Sequence, residues 1–141
     1  MDQLRNMIKA HAGGLDGLAG TLRFGLVASF DPVAYAAKVL IQPENVLSGW
    51  LPVMSCWVGN GWGLAAPLPP GTQVLVLAQE GDAEQGVVAG AVWSAQDKAT
   101  GAPAGELWLL HQSGSVVKLA NDGSILLQLS LIHISEPTRP Y

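Results

Sequence analysis

Three acidic side chains crowd one short stretch: Glu80, Asp82 and Glu84. Two carboxylates can flank a glycosidic bond, one as acid and the other as base or nucleophile. That chemistry needs one carboxyl desolvated so that its pKa rises. The stretch reads Glu-Gly-Asp-Ala-Glu, a polar turn with glycine, so its acids belong in water at a hairpin tip. His11, His111 and Cys56 do not fall at metal-ligand spacing. Cys56 is the single cysteine, which removes an intrachain disulfide and a cysteine metal cluster. Ser113 and Ser115 flank Gly114, but the G-x-S-x-G elbow is absent. Gly59-Asn60-Gly61-Trp62-Gly63 has the glycines of a phosphate cradle, which also needs a strand before it and a helix after it. Ala65-Ala66-Pro67 follows instead, so the stretch reads as a tight turn. No catalytic residue, metal or cofactor is expected.

Trp50, Trp57, Trp62, Trp93 and Trp108 are many tryptophans for 141 residues. Aromatic rings can stack nucleic-acid bases, but usually beside a basic groove. Seven Lys and Arg face eleven Asp and Glu, a net charge of −4. That balance argues against nucleic acid and against an anionic membrane as partners. Core and interface packing is the expected role, with Trp50 and Trp62 beside glycine loops as exposed anchors. Hydrophobic residues make up 49% and charged residues 13%, apolar for a small soluble monomer. An oligomer, or a piece of a larger assembly, fits better. No apolar run has the length of a membrane span. The start, MDQLRNMIKAHAGG, lacks the apolar core of a secretion signal, so synthesis in the cytoplasm is expected.

The elements that position these residues are strands. Seventeen Gly and nine Pro argue for many turns and an all-β fold. The centre is Pro70 to Trp93, two apolar runs (Thr72–Ala78 and Gln85–Trp93) around a loop of about five residues. Both runs are apolar on consecutive residues, which implies burial on both faces, one in a core and one against something else. Before it, Thr21–Phe30 and Ala36–Gln42 read as strands, and Trp50–Val53 begins a third that Met54–Val58 could continue. Asn45–Gly49 reads as loop. Ala65–Pro70 holds three prolines and suits neither a helix nor a central strand. Five short strands with glycine bends suggest a small Greek-key barrel of the OB type. Met1–Ala12 is expected to form a short helix with Leu4, Met7 and Ile8 on one face.

After a linker at 94–105 the texture changes. Glu106–His111, Ser115–Leu119 and Ser124–Leu129 read as strands separated by turns. Gly114-Ser115-Val116 and Gly123-Ser124-Ile125 repeat at a spacing of nine. Short strands at a fixed small period mark a stacked β structure. A stack this short cannot bury its apolar face without more repeats or other chains. The expected organisation is residues 1–20 as helix and joint, 21–93 as OB domain, 94–105 as linker, 106–128 as β shaft and 129–141 as a non-native tail.

The order of these features resembles the baseplate assembly protein V family of contractile-tailed phages, related to the spikes of type VI secretion systems. The residues that carry it are Phe24 to Ser29 with Asp31-Pro32, Lys38-Val39, Gly49 to Val53, Pro70 to Leu77, Gly81-Asp82 and Gly86 to Val92. Gly105-Glu106, His111 to Ser115 and Asn121 to Gly123 look like the start of that family's β-helical shaft. The resemblance implies a homotrimer. Its OB domains would pack around an axis and its chains would wind into a spike that punctures the host outer membrane during contraction. Expected partners are the baseplate hub and tail tube proteins and, transiently, the host outer membrane. The expected location is the virion tail baseplate, after assembly in the bacterial cytoplasm. Trimer and partner packing is expected at Trp50, Trp62, Val74, Val76, Val87, Val92, Trp108, Val117, Leu119 and Ile125. A type VI secretion-like spike and an OB-fold nucleic-acid binder are the alternatives. Leu129 to Arg139, LSLIHISEPTR, resembles an in-frame translation of a transposon-end sequencing adapter, so the native gene is expected to continue past Gln128.

Overall fold

The structure is a computed structural model, and it describes residues 3, 22–79 and 82–130. The expected N-terminal helix and non-native tail lie almost wholly outside them. The fold is all-β. Nine strands run through the described residues: β1 (Leu22–Asp31), β2 (Ala36–Ile41), β3 (Val46–Leu47), β4 (Leu51–Pro52), β5 (Gln73–Gln79), β6 (Asp82–Ala91), β7 (Leu107–Leu110), β8 (Val116–Leu119) and β9 (Ile125–Gln128). They fall into two compact units, residues 1–97 and 98–141.

In the first unit the sheet runs β3-β2-β1-β5-β6, and β4 also pairs with β2. All its strand pairs are antiparallel. The residue after β4 carries the path round to β6. Val53 bridges Val88 in parallel, and the Met54 N–H donates to the Val88 carbonyl at 2.9 Å. The sheet therefore curls back on itself and encloses a core of Val27, Ala37, Val39, Ile41, Leu51, Val74, Val76 and Val88. Phe30, Val53 and Leu68 pack against it. Fully burying one such Val or Leu removes about 1.5–3 kcal/mol of exposure cost. The turn of the sheet needs an irregular β1, whose register with β2 shifts between Val27 and Ser29. It also needs Gly25, where an added Cβ would lie 2.3 Å from the Val39 side chain.

Three details differ from the sequence expectation. The central hairpin pairs Gln79 with Asp82, so two residues connect its strands rather than five; β6 begins inside the acidic stretch. The expected loop Asn45–Gly49 contains β3, and buried Ser48 stitches it to β2: its hydroxyl accepts the Val39 N–H at 2.9 Å and donates to the Gly49 carbonyl at 2.8 Å. Met54–Val58 does not continue the third strand. The Ser55 hydroxyl donates to the Leu64 carbonyl instead and turns the chain into a separate arm.

The second unit is an antiparallel meander, β7-β8-β9. Its strands begin at Leu107, Val116 and Ile125, nine residues apart. The two turns are copies of one another. His111 N–H donates to Ser115 O and Gly114 N–H to His111 O, both at 2.9 Å; Ala120, Ser124 and Gly123 repeat the pattern at 2.9 and 3.0 Å. Gly114 and Gly123 have φ of 103° and 90°, the left-handed residue that completes a three-residue hairpin loop.

Candidate assembly surfaces

Register decides what each sheet of this protein presents. In the second unit Leu107 pairs with Leu119 and Leu119 with Ile125; Leu109 pairs with Val117 and Val117 with Leu127. Alternate residues of a strand share a face, so these six side chains form one surface, all aliphatic. Ile125 is 66% exposed and Leu127 72%. The opposite face is different. Trp108 lies under Lys118, whose Nζ is 3.9 Å from the ring centroid. Its Nε1–H donates to Glu106 Oε1 at 2.9 Å, and Glu106 Oε2 accepts the Asn121 N–H at 3.0 Å. Asn121 Nδ2 then donates to Ala104 O at 3.0 Å. That face therefore mixes a polar clip at Trp108 with Leu110, Val116, Leu126 and Gln128, of which Leu110 and Leu126 are exposed, whereas the first face carries only hydrocarbon.

The first unit presents two further apolar surfaces. In the first half of β1, Leu22, Phe24 and Leu26 point outward, each between a third and a half exposed. They pair with Leu77, Leu75 and Gln73 of β5. The second surface is the arm. Val58 bridges Gly63, Gly59 N–H donates to Trp62 O at 2.7 Å, and Leu64 N–H donates to Trp57 O at 2.9 Å. Trp57 and Trp62 meet edge to face, centroids 5.6 Å apart, and both remain about 60% exposed. Between the arm and Val33, Tyr35, Pro52 and Val53 lies a cleft of about 520 Å³.

The expected packing residues separate on this geometry. Val74 and Val76 are fully buried in their own core, and the half-buried Leu75 and Leu77 between them face outward. Val87 is half-buried, and Val92 is exposed after β6. Trp62 stands on the exposed arm. Trp50 is half exposed but has Lys38 Nζ 5.1 Å from its ring centroid. Val117, Leu119 and Ile125 share the aliphatic face, and Trp108 lies on the opposite one. The chemistry-bearing candidates are not brought together. His111 Nδ1 accepts the Ser113 N–H at 3.1 Å and lies 2.7 Å from its hydroxyl, a contact inside one exposed turn. Cys56 is free and exposed. His11 and Glu80, and the side chains of Asp82 and Glu84, lie outside the described residues. Among the described residues no three His, Cys, Asp or Glu side chains are grouped to hold a metal ion.

Residues 23–93, the curled sheet with its closing bridge, match the family described as the Type VI secretion system/phage-baseplate injector OB domain. The chain belongs to that family. It is a family of structural baseplate domains, so the injector OB domain of this chain has a baseplate-related role. Comparison with curated proteins gives no match. The three-stranded sheet lies beyond the matched residues.

Sequence reasoning missed two of the surfaces. Between Glu44 and Glu80 the sequence carries no charged residue, although much of that stretch is exposed. That gap was the available signal for the arm. It also missed that the left-handed glycine of the nine-residue repeat recurs once more, without the turn hydrogen bonds of the two copies. Gly105 stands nine residues before Gly114 and shares its left-handed backbone, φ 91°, where Glu106 N–H donates to Pro103 O at 3.2 Å.

Proposed function

We propose that this protein is a subunit of the central spike of a contractile injection apparatus, a phage tail baseplate, and that it works as a homotrimer. On this reading the curled sheet, with six strands where five were expected, is an OB barrel that seats on the baseplate hub. The β7–β9 sheet is the first turn of a trimeric β shaft, and the spike is driven through the host outer membrane. The work is mechanical and uses no catalytic residue or cofactor. The single observation that carries the reading is the aliphatic face of Leu107, Leu109, Val117, Leu119, Ile125 and Leu127. No side chain of these three strands is buried, and a repeat stack this short needs further repeats or other chains to cover its face. Three copies turned inward around an axis would bury that face and leave the Trp108 clip outside. The nine-residue period supports it, because each added repeat extends the same face by one strand.

The test is size-exclusion chromatography with light scattering on the full chain. A mass three times that of the chain is expected, and Val117→Asp should convert it to monomer with the far-ultraviolet signal of the barrel retained. A monomeric unmodified chain at micromolar concentration would sink the trimer.

A further inference from the structure

The outer face of β1 and the tryptophan arm are two different apolar surfaces on one domain. We infer that they are the two halves of one contact: the Trp57–Trp62 arm of each copy docks on the Leu22, Phe24, Leu26, Leu75 and Leu77 face of the next copy. The inference rests on the trimer reading and specifies how the barrels meet.

Three observations carry it. First, the arm cannot reach its own face. It stands over Tyr35, whose hydroxyl accepts the Ala66 N–H at 3.0 Å and whose carbonyl accepts the Val53 N–H at 3.1 Å, beyond the Asp31 end of β1. The apolar face lies at the other end of that strand. Seven steps along the strand at roughly 3.3 Å each separate Phe24 from Asp31 by about 23 Å. Second, a ring of three copies cannot be built from a self-matching patch. Each subunit must offer one surface on one side and a different, complementary surface on the other. An exposed tryptophan pair and a leucine and phenylalanine sheet face are such a pair. Third, neither surface carries a charge. The arm lies in the stretch between Glu44 and Glu80 that has none, and the face is uncharged, its polar member being Gln73 opposite Leu26. Trp50 and Trp108 each have a lysine over the ring, whereas Trp57 and Trp62 have only one another. Large aromatic side chains held in a fixed geometry and left wet on one side are what interface anchors look like.

Cys56 sits at the base of the arm and is exposed, so the contact can be trapped by cross-linking. The full chain carrying Leu22→Cys, at the edge of the face, is treated with a short bismaleimide and run on a denaturing gel. Dimers and trimers are expected, and nothing larger, because a closed ring has no free ends. The unmodified chain should stay at the monomer position, and Cys56→Ser in the Leu22→Cys background should abolish the ladder. Gln79→Cys, at the exposed end of β5, serves if Leu22→Cys fails to fold. Cys56-to-Cys56 dimers from the unmodified chain would overturn the inference in favour of a self-matching contact. So would a protein that is trimeric by light scattering and gives no ladder with either cysteine, an outcome that leaves the trimer itself standing. A monomer by light scattering removes both.

Discussion

Residues 22–97 and residues 98–130 are made of the same material, short antiparallel strands rich in Leu, Val and Ile, and they end in opposite states. In the first unit the strand order returns on itself: Val53 meets Val88, and the side chains between them become a core. Every buried hydrophobic side chain among the described residues lies there, from Val27 to Val88. In the second unit the order β7-β8-β9 does not return, and no strand side chain is buried. Apolar composition alone therefore does not make a core. Closure of the strand path does, and where the path does not close, the aliphatic face stays exposed.

The comparison breaks most visibly at Leu51. It is fully buried at the point where β4 hands the path to β6. Leu51→Ala removes buried hydrocarbon and leaves a cavity, an expected loss of about 2–5 kcal/mol in urea unfolding. Leu109→Ala is the matching change in the second unit. In the Val117→Asp background, where the proposed assembly is lost, it should cost less than about 0.5 kcal/mol, as surface substitutions do. Equal losses at the two leucines would mean that the second sheet has a core of its own.

Glycines sharpen the same contrast at smaller magnitude. Gly63 has φ 139°, and an added Cβ would lie 2.2 Å from the Trp57 carbonyl oxygen. Gly63→Ala must displace the arm, at an expected cost of order 1–3 kcal/mol for the strained backbone. The tryptophan emission should shift with it, because Trp57 and Trp62 lose their mutual packing. Gly123 has φ 90° with nothing near its missing side chain. Gly123→Ala carries only the left-handed penalty, about 1–2 kcal/mol, and should leave the emission unchanged. An unchanged spectrum in Gly63→Ala would mean that the arm is not held as described.

The strands were legible because turn residues bracket them. Asp31-Pro32, the glycines near 59–63 and Asn121-Asp122-Gly123 each end a run. The nine-residue spacing was legible for two copies; the third glycine hid because Gly105 sits among the small residues of Ser94–Gly105. The faces were harder to read. Val74 to Leu77 is apolar at every position, so nothing in its composition tells Val74 and Val76, which turn inward, from Leu75 and Leu77, which do not. That assignment comes from β1 and β6 on either side, through pairings distant in sequence. The arm was read as a turn with Trp62 as an exposed anchor, and Trp57 was not joined to it, since their edge-to-face contact depends on a bridge between Val58 and Gly63 that no local pattern announces.

The smallest effect separates the two copies of the nine-residue turn. The first is closed by His111 and Ser113. In the second, Asp122 accepts the Ser124 hydroxyl at 2.6 Å and the Ser124 N–H at 2.9 Å. Those bonds favour the charged carboxylate, so the Asp122 pKa lies below its ordinary value, the Ser124 hydroxyl contributing most and the Ser124 N–H next. A carboxyl lowered by folding stabilises the fold above its unfolded pKa of about 3.9 and loses that contribution as pH falls through the folded value. Asp122 is fully exposed, so the contribution is slight. Asp122→Asn keeps an acceptor and removes the charge-assisted part of the bond. Near neutral pH its melting temperature should lie slightly below the parent's, and the difference should close as pH falls below about 4. A carboxyl titration by nuclear magnetic resonance with its midpoint at or above the ordinary value would show that the turn is not closed through Asp122. The two turns would then differ in sequence without differing in how they hold the chain.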